Sequence, residues 1–256
     1  MRPLHFIRRT LQGRKCHAYC IGAAKTGTTS LAQIMSANIR AAHEPEVEKT
    51  TQLVIDYLDN NISESEAKSR LLKRDLRLFL EFESSHPLGY LAPLIHQIFP
   101  ESKFIITYRE PLSWLKSRLN YHHYKKPDNW EKYRNFIWSR HFHGYSKEEL
   151  VLKKNGLFSI DAYLKQYFEQ YELILNGLPE SNVLFIKTEN ISQELESISQ
   201  FLNIKADKLS PVWTNKLQNQ EDLINEIPQD FINERLDNFK HITKAIETRL
   251  MKQCES

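Results

Sequence analysis

The chain has 256 residues, with 35 Lys and Arg against 32 Asp and Glu, for a formal charge of +3. That length suits one large domain and is short for two. So mild a charge lacks the dense basic face that nucleic-acid binding requires.

The first fifteen residues carry Arg2, Arg8, Arg9, Arg14 and Lys15 and read as a solvated basic tail. No apolar segment follows to make a secretory signal, and no run approaches the ~20 apolar residues that span a bilayer. Three cysteines, Cys16, Cys20 and Cys254, do not suggest a disulfide framework. A cytoplasmic, reduced protein without a transmembrane segment is expected.

His17–Ile21 predicts a buried strand, and Gly27 to Asn38 a helix. Between them runs Gly22-Ala23-Ala24-Lys25-Thr26-Gly27, followed by Thr28-Thr29-Ser30. The nucleoside-triphosphate loop G-x-x-x-x-G-K-[ST] sets a lysine after the second glycine. Here Gly22 and Gly27 have that spacing, but Thr28 takes the lysine position and Lys25 precedes the second glycine. A strand, a glycine loop and a helix N-terminus still present backbone N–H groups to an anion. Only the point where the positive charge enters has moved.

A second strand is expected over Ile39–Ala42, ending at His43-Glu44-Pro45, with helices near Val47–Asp59 and Ser63–Arg74. Leu76–Phe82 alternates like a strand and leads through Glu83, Ser84 and Ser85 to His86. Pro87–Phe99 reads as a helix. Lys103–Tyr108 is a β-branched and aromatic run, the mark of a buried parallel strand. Arg109-Glu110-Pro111 follows, and Pro111 suits the first turn of a helix. Ser117 lies inside that helix, eight residues after Arg109. Arginine offers phosphate a planar fork of donors, and serine adds a short hydroxyl.

Residues 121–158 are rich in aromatics and histidine. His122-His123 and His141-x-His143 lack the companion ligands of a metal site, so a lid over an acceptor or an extra packing layer is expected. A long helix over Ile160–Asn176 leads to a strand at Asn182–Lys187. Thr188-Glu189-Asn190-Ile191 and a helix ending near Phe201-Leu202 come next, and residues 205–256 read as a helical C-terminal segment. Strands alternating with helices predict a single α/β domain with a central parallel sheet and ligands at the strands' carboxyl ends.

The run K-x-G-T-T-S-L resembles the 5′-phosphosulfate loop of sulfotransferases that use 3′-phosphoadenosine 5′-phosphosulfate (PAPS). Arg109 and Ser117 are similar to the 3′-phosphate motif of the same family, and the Val183 strand with its acidic turn agrees. The resemblance spans roughly Ala18 to Ile204, and its specific parts are the two phosphate motifs.

It implies that Lys25, Thr26, Gly27, Thr28, Thr29 and Ser30 hold the 5′-phosphosulfate and that Arg109 and Ser117 read the 3′-phosphate. Lys25 would offset charge on the leaving oxygen. The reaction would be metal-free in-line sulfuryl transfer to a hydroxyl or amine of a small-molecule, glycan or lipid acceptor, with no nucleic-acid partner. Glu44 is the first choice of base, since sulfotransferases acting on sugars or tyrosine carry a glutamate after a comparable strand. His86 is the alternative, placed like the histidine of small-molecule sulfotransferases. The competing readings are a P-loop-like nucleotide-binding or kinase-type protein and an inactive sulfotransferase-like binder.

Overall fold

A computed structural model describes residues 13–205, 209 and 222–254; the basic tail up to residue 12 and part of the C-terminal segment lie outside the described residues. The elements in chain order are β1 (Ala18–Cys20), α1 (Thr28–Ser36), β2 (Ala41–His43), α2 (Val47–Leu58), α3 (Glu64–Leu78) and β3 (Phe82–Ser84). A 3₁₀ turn at His86–Leu91 leads into α4 (Ala92–Ile98), then β4 (Lys103–Tyr108) and α5 (Pro111–Tyr124). A short turn at Asp128–Trp130 precedes α6 (Glu131–Ser139), α7 (Leu150–Lys154), α8 (Ile160–Gly177) and β5 (Val183–Lys187). Helices α9 (Leu195–Leu202), α10 (Gln229–Asp237) and α11 (Lys240–Cys254) complete the described chain.

The strands form one parallel sheet in the order β2-β3-β1-β4-β5. Strand periodicity sends alternate side chains to opposite faces, and both faces here are apolar. Ala18, Cys20 and Ile105 pack with Leu31 and Met35 of α1 and Ile198 of α9. Tyr19, Ile21, Phe104 and Ile106 face the larger core, with Trp114 and Leu115 of α5 and Tyr167, Phe168 and Tyr171 of α8. The expected single α/β domain with a central parallel sheet is what the chain forms.

Several boundaries differ, and the strand expected over Ile39–Ala42 is Ala41–His43. Leu76–Phe82 is not a strand: α3 continues through Leu78, Phe79 ends it at φ 48°, and the strand is Phe82–Ser84. Alternating leucines imitated a strand, but Leu71, Arg74 and Leu78 keep helical spacing and leave Leu76 at 49% exposure. The expected helix over Pro87–Phe99 divides into the 3₁₀ turn and α4. No described helix is long and apolar enough to cross a membrane.

Helix α8 fastens the carboxyl edge of the sheet. Gln170 Nε2 donates to the carbonyls of Ile21 and His86, at 3.1 and 2.6 Å. Tyr171 donates to the Thr107 carbonyl at 2.9 Å, and Tyr167 to that of Arg109. The ends of β1, β3 and β4 are therefore held together, and the motifs sit there.

Candidate functional site

The loop after β1 approaches β4 so closely that only glycine fits at position 22. A Cβ there would lie 2.2 Å from Thr107 Oγ1 and 2.5 Å from the Thr107 carbonyl oxygen. Gly27 caps α1 at φ 94°, and a Cβ on it would meet Ile191 at 2.5 Å. The loop is strapped from several sides. Thr26 Oγ1 is 2.6 Å from both the Ala23 carbonyl and Thr107 Oγ1, Trp114 Nε1 donates to the Ala24 carbonyl at 2.8 Å, and Thr188 donates to the Thr26 carbonyl at 2.9 Å. Thr26 is fully buried, so its hydroxyl shapes the cradle. Thr29 and Ser30 are half-buried in the first turn of α1.

Lys25 sits at φ 72°, an uncommon conformation for a side-chain-bearing residue. Its Nζ lies 4.6 Å from the centre of the Tyr121 ring. Burial, then the charges of Arg118, Arg109 and Lys125, lower its pKa to about 8. Arg109 leaves β4 as expected; its Nη1 donates to the Lys25 carbonyl at 3.4 Å and its Nε to Ser113 Oγ at 3.0 Å. Ser113, which the sequence reading passed over, and Ser117 are four residues apart on α5 and share a face. Among the described residues no carboxylate lies within ion-pair distance of Lys25, Arg109 or Arg118.

Glu44 and His86, weighed as rival bases, are joined. β2 and β3 are sheet neighbours, so residues just past their ends meet, and His86 Nδ1 is 2.6 Å from Glu44 Oε1. Glu44 is at φ 47°, and its backbone N–H donates to the Ser84 carbonyl at 2.8 Å. Burial pushes the Glu44 carboxyl up, but the charge and hydrogen bond of His86 outweigh it and hold the pKa below the ordinary value. The His86 ring stacks on Trp130, 5.0 Å between centres. Beside the pair, His43 Nε2 lies 3.1 Å from Thr29 Oγ1, and burial lowers the His43 pKa.

Glu83 belongs elsewhere. Its two oxygens take both terminal nitrogens of Arg74 at 2.6 Å, and Arg74 also donates to Thr50 and to the Pro45 carbonyl. This buried pair buttresses the turn that carries Glu44.

Lys25, Thr28, Thr29, His43, Glu44 and His86 all line one cavity of about 140 Å³. Its far wall comes from the aromatic segment: Tyr121, Trp130, Tyr133 and Trp138, with Arg118 and Arg134 among them. Tyr133 and Trp138 are buried in the core, so this stretch packs and lines at once. Arg109 and Ser117 do not line the cavity; Arg109 meets the loop at the Lys25 carbonyl. The arrangement is an anion cradle, a cation at its mouth, and a histidine–carboxylate pair across a small chamber. These residues fit a nucleotide carrying two separate anionic groups, since Lys25 and Arg109 stand without a carboxylate partner among the described residues.

A model of the sulfotransferase domain family matches residues 19–218. The chain belongs to the sulfotransferase family. Among solved structures, a sulfotransferase from Alicyclobacillus acidocaldarius aligns at TM-score 0.54 and 15% identity, over 92% of this chain and 96% of that one. The sulfotransferase domain of the Synechococcus PCC 7002 olefin synthase aligns at 0.42 and 11% identity, over 92% and 94%. At such identity the first likeness is one of fold. No curated protein matches the chain. Within this sulfotransferase, sequence reasoning missed Arg118 and the Glu44–His86 contact, whereas Trp130 falls in the aromatic stretch expected to form a lid or packing layer. Arg118 stands one residue past Ser117, and its place in an aromatic stretch was the available signal.

Proposed function

We propose that the chain is a PAPS-dependent sulfotransferase acting on a hydroxyl or amine by in-line displacement without a metal. The observation that carries this is the meeting, in one small cavity, of Lys25 from the loop after β1 with the hydrogen-bonded Glu44–His86 pair. Bound, the donor supplies a sulfuryl group already activated as a phosphate anhydride. The first turn of α1, with Thr28, Thr29 and Ser30, holds the 5′ end, and Arg109 with Ser113 and Ser117 holds the 3′-phosphate.

Lys25 offsets charge that grows on the leaving oxygen, where a preorganised cation in a dry site counts most. His86 takes the acceptor's proton at Nε2, because Nδ1–H is committed to the Glu44 carboxylate. Glu44 thus fixes the tautomer and favours the imidazolium that forms. The roles first weighed as alternatives become base and orienter. The stretch 121–158 forms the acceptor side, with Trp130 holding the base in plane.

Incubating the protein and PAPS with fractionated cell extract, and seeking products heavier by one sulfonate, tests the reading. Sulfonated products lost with Lys25→Ala support it. Their absence from every fraction, with PAPS unconsumed, contradicts it. Lys25→Ala should depress turnover more than donor affinity, whereas Arg109→Ala should weaken donor binding by about 1.5–3 kcal/mol. Initial-rate kinetics separate the two, and the reverse pattern would exchange the roles.

A further inference from the structure

Arg118 is not used by the donor site described above. On α5, Ser113 bonds Arg109 and Ser117 lies one turn further on, neither lining the cavity, whereas Arg118 lines it together with Tyr121 and His122. Its Nε is sealed from solvent without a hydrogen-bond partner. Its guanidinium carbon lies 5.8 Å from the Tyr121 ring centre and 5.4 Å from that of Trp138, distances at which aromatic faces attract a cation. Among the described residues no carboxylate pairs with it, and Glu44, the acid lining the same cavity, is engaged by His86.

Arg134 lines the chamber as well, so Lys25, Arg118 and Arg134 face a single carboxylate. The neighbouring His122 registers this field. Burial, then the charges of Arg118, Arg134 and Lys126, hold it well below its ordinary pKa, and it bonds Tyr163 instead at 2.9 Å. The half-buried Arg118 guanidinium lines the chamber without a carboxylate partner, and an anion bound there would give it a charge-assisted hydrogen bond. The chamber's volume of about 140 Å³ is close to that of cavities that hold one benzene-sized ring.

We propose that Arg118 is the specificity residue of the acceptor site, and that the acceptor is a single-ring compound bearing its own anionic group, a carboxylate or its equivalent, beside the reacting hydroxyl. This rests on the sulfotransferase reading of the same cavity. The ring lies against the aromatic wall, its anion meets Arg118, and its hydroxyl is left to His86. Neutral phenols and unmodified neutral sugars would leave Arg118 unpaired and so bind poorly.

The test uses two probes of one shape, 4-hydroxybenzoate and its neutral isostere 4-hydroxybenzamide. Each is titrated by ligand-observed NMR into the full chain saturated with 3′,5′-bisphosphoadenosine, which occupies the donor loop. The benzoate should bind at least tenfold more tightly than the benzamide. Arg118→Met should bring the two within threefold of each other while leaving the affinity for the bisphosphate within twofold, which also certifies its fold. Arg118→Lys should keep part of the preference.

Equal affinities in the unmodified protein overturn the proposal, as does failure of the benzoate to bind at millimolar concentration. Loss of bisphosphate affinity in both Arg118 variants assigns Arg118 to the donor and overturns it too. Should the bisphosphate itself fail to bind the unmodified protein, the donor reading falls. The benzoate–benzamide comparison in the nucleotide-free chain, with and without Arg118→Met, then still decides the acceptor claim.

Discussion

Lys25 brings a titration into the working range. With its pKa lowered to about 8 by burial and by neighbouring Arg118 and Arg109, it is a cation at pH 7 and loses its proton as pH rises through 8. An anionic ligand favours the charged form, so binding above pH 8 must draw a proton from solvent. Affinity for 3′,5′-bisphosphoadenosine should therefore be level below about pH 7.5 and fall toward pH 9. Lys25→Arg, whose charge persists across this range, should flatten that decline in calorimetric titrations. A decline unaltered by the substitution would place the titration in another group.

The Glu44–His86 pair makes a second claim at this scale. Residues acting as one unit are strongly non-additive. Glu44→Gln and His86→Asn should each lower kcat by roughly 10²–10⁴-fold, the usual range for proton transfer, and the double variant should be little worse than His86→Asn. Donor affinity should hold in all three. Full additivity in single-turnover rates would mean that the two side chains work separately.

At the scale of elements, two contacts position the site. Gly22 lets β1 and β4 meet, and the methyl of Gly22→Ala would press on backbone as well as side chain. A loss of at least 1–3 kcal/mol, typical of overpacking, is expected in urea unfolding, and unchanged stability would mean that the loop yields without cost. Arg74 and Glu83 tie α3 to β3 and reach the Pro45 carbonyl. Removing one partner of a buried pair leaves a bare charge, at about 3–5 kcal/mol. Arg74→Met should show that loss in the same measurement, with reduced kcat because the Glu44 turn loses a support.

Most of the parallel strands were legible because each is written locally as an apolar run, and the proposed phosphate motifs rest on equally local signals, a glycine spacing and an arginine eight residues before a serine. What was not legible depends on strand order. Glu44 and His86 are 42 residues apart and meet only because β2 lies beside β3. Nor does anything in the sequence say that Arg74 covers Glu83. The Leu76–Phe82 misreading arose where a helix end and a strand share alternating leucines, and only tertiary burial chooses between them. Arg118 was hidden by its neighbour Ser117, which carried the recognisable motif.

In the whole molecule, the proposed function sets two anion sites in series along one sheet edge, with a chamber beside them. The glycine loop, Lys25 and α1 would form the first, and Arg109 with the serines of α5 the second. Helix α8 locks the strand ends that carry them, so the distance between the sites is set by the core. A magnesium-dependent phosphate-transfer protein would need neither Arg109 in this place nor a lysine before the second glycine. The most direct test is calorimetry of the full chain, without magnesium, comparing 3′,5′-bisphosphoadenosine with 5′-AMP and ATP. The bisphosphate should bind at least tenfold more tightly than 5′-AMP, since a hydrogen bond to a charged group contributes about 1.5–3 kcal/mol, and Arg109→Ala should erase most of that difference. Equal affinity for bisphosphate and 5′-AMP, or tighter magnesium-dependent binding of ATP, would contradict the account.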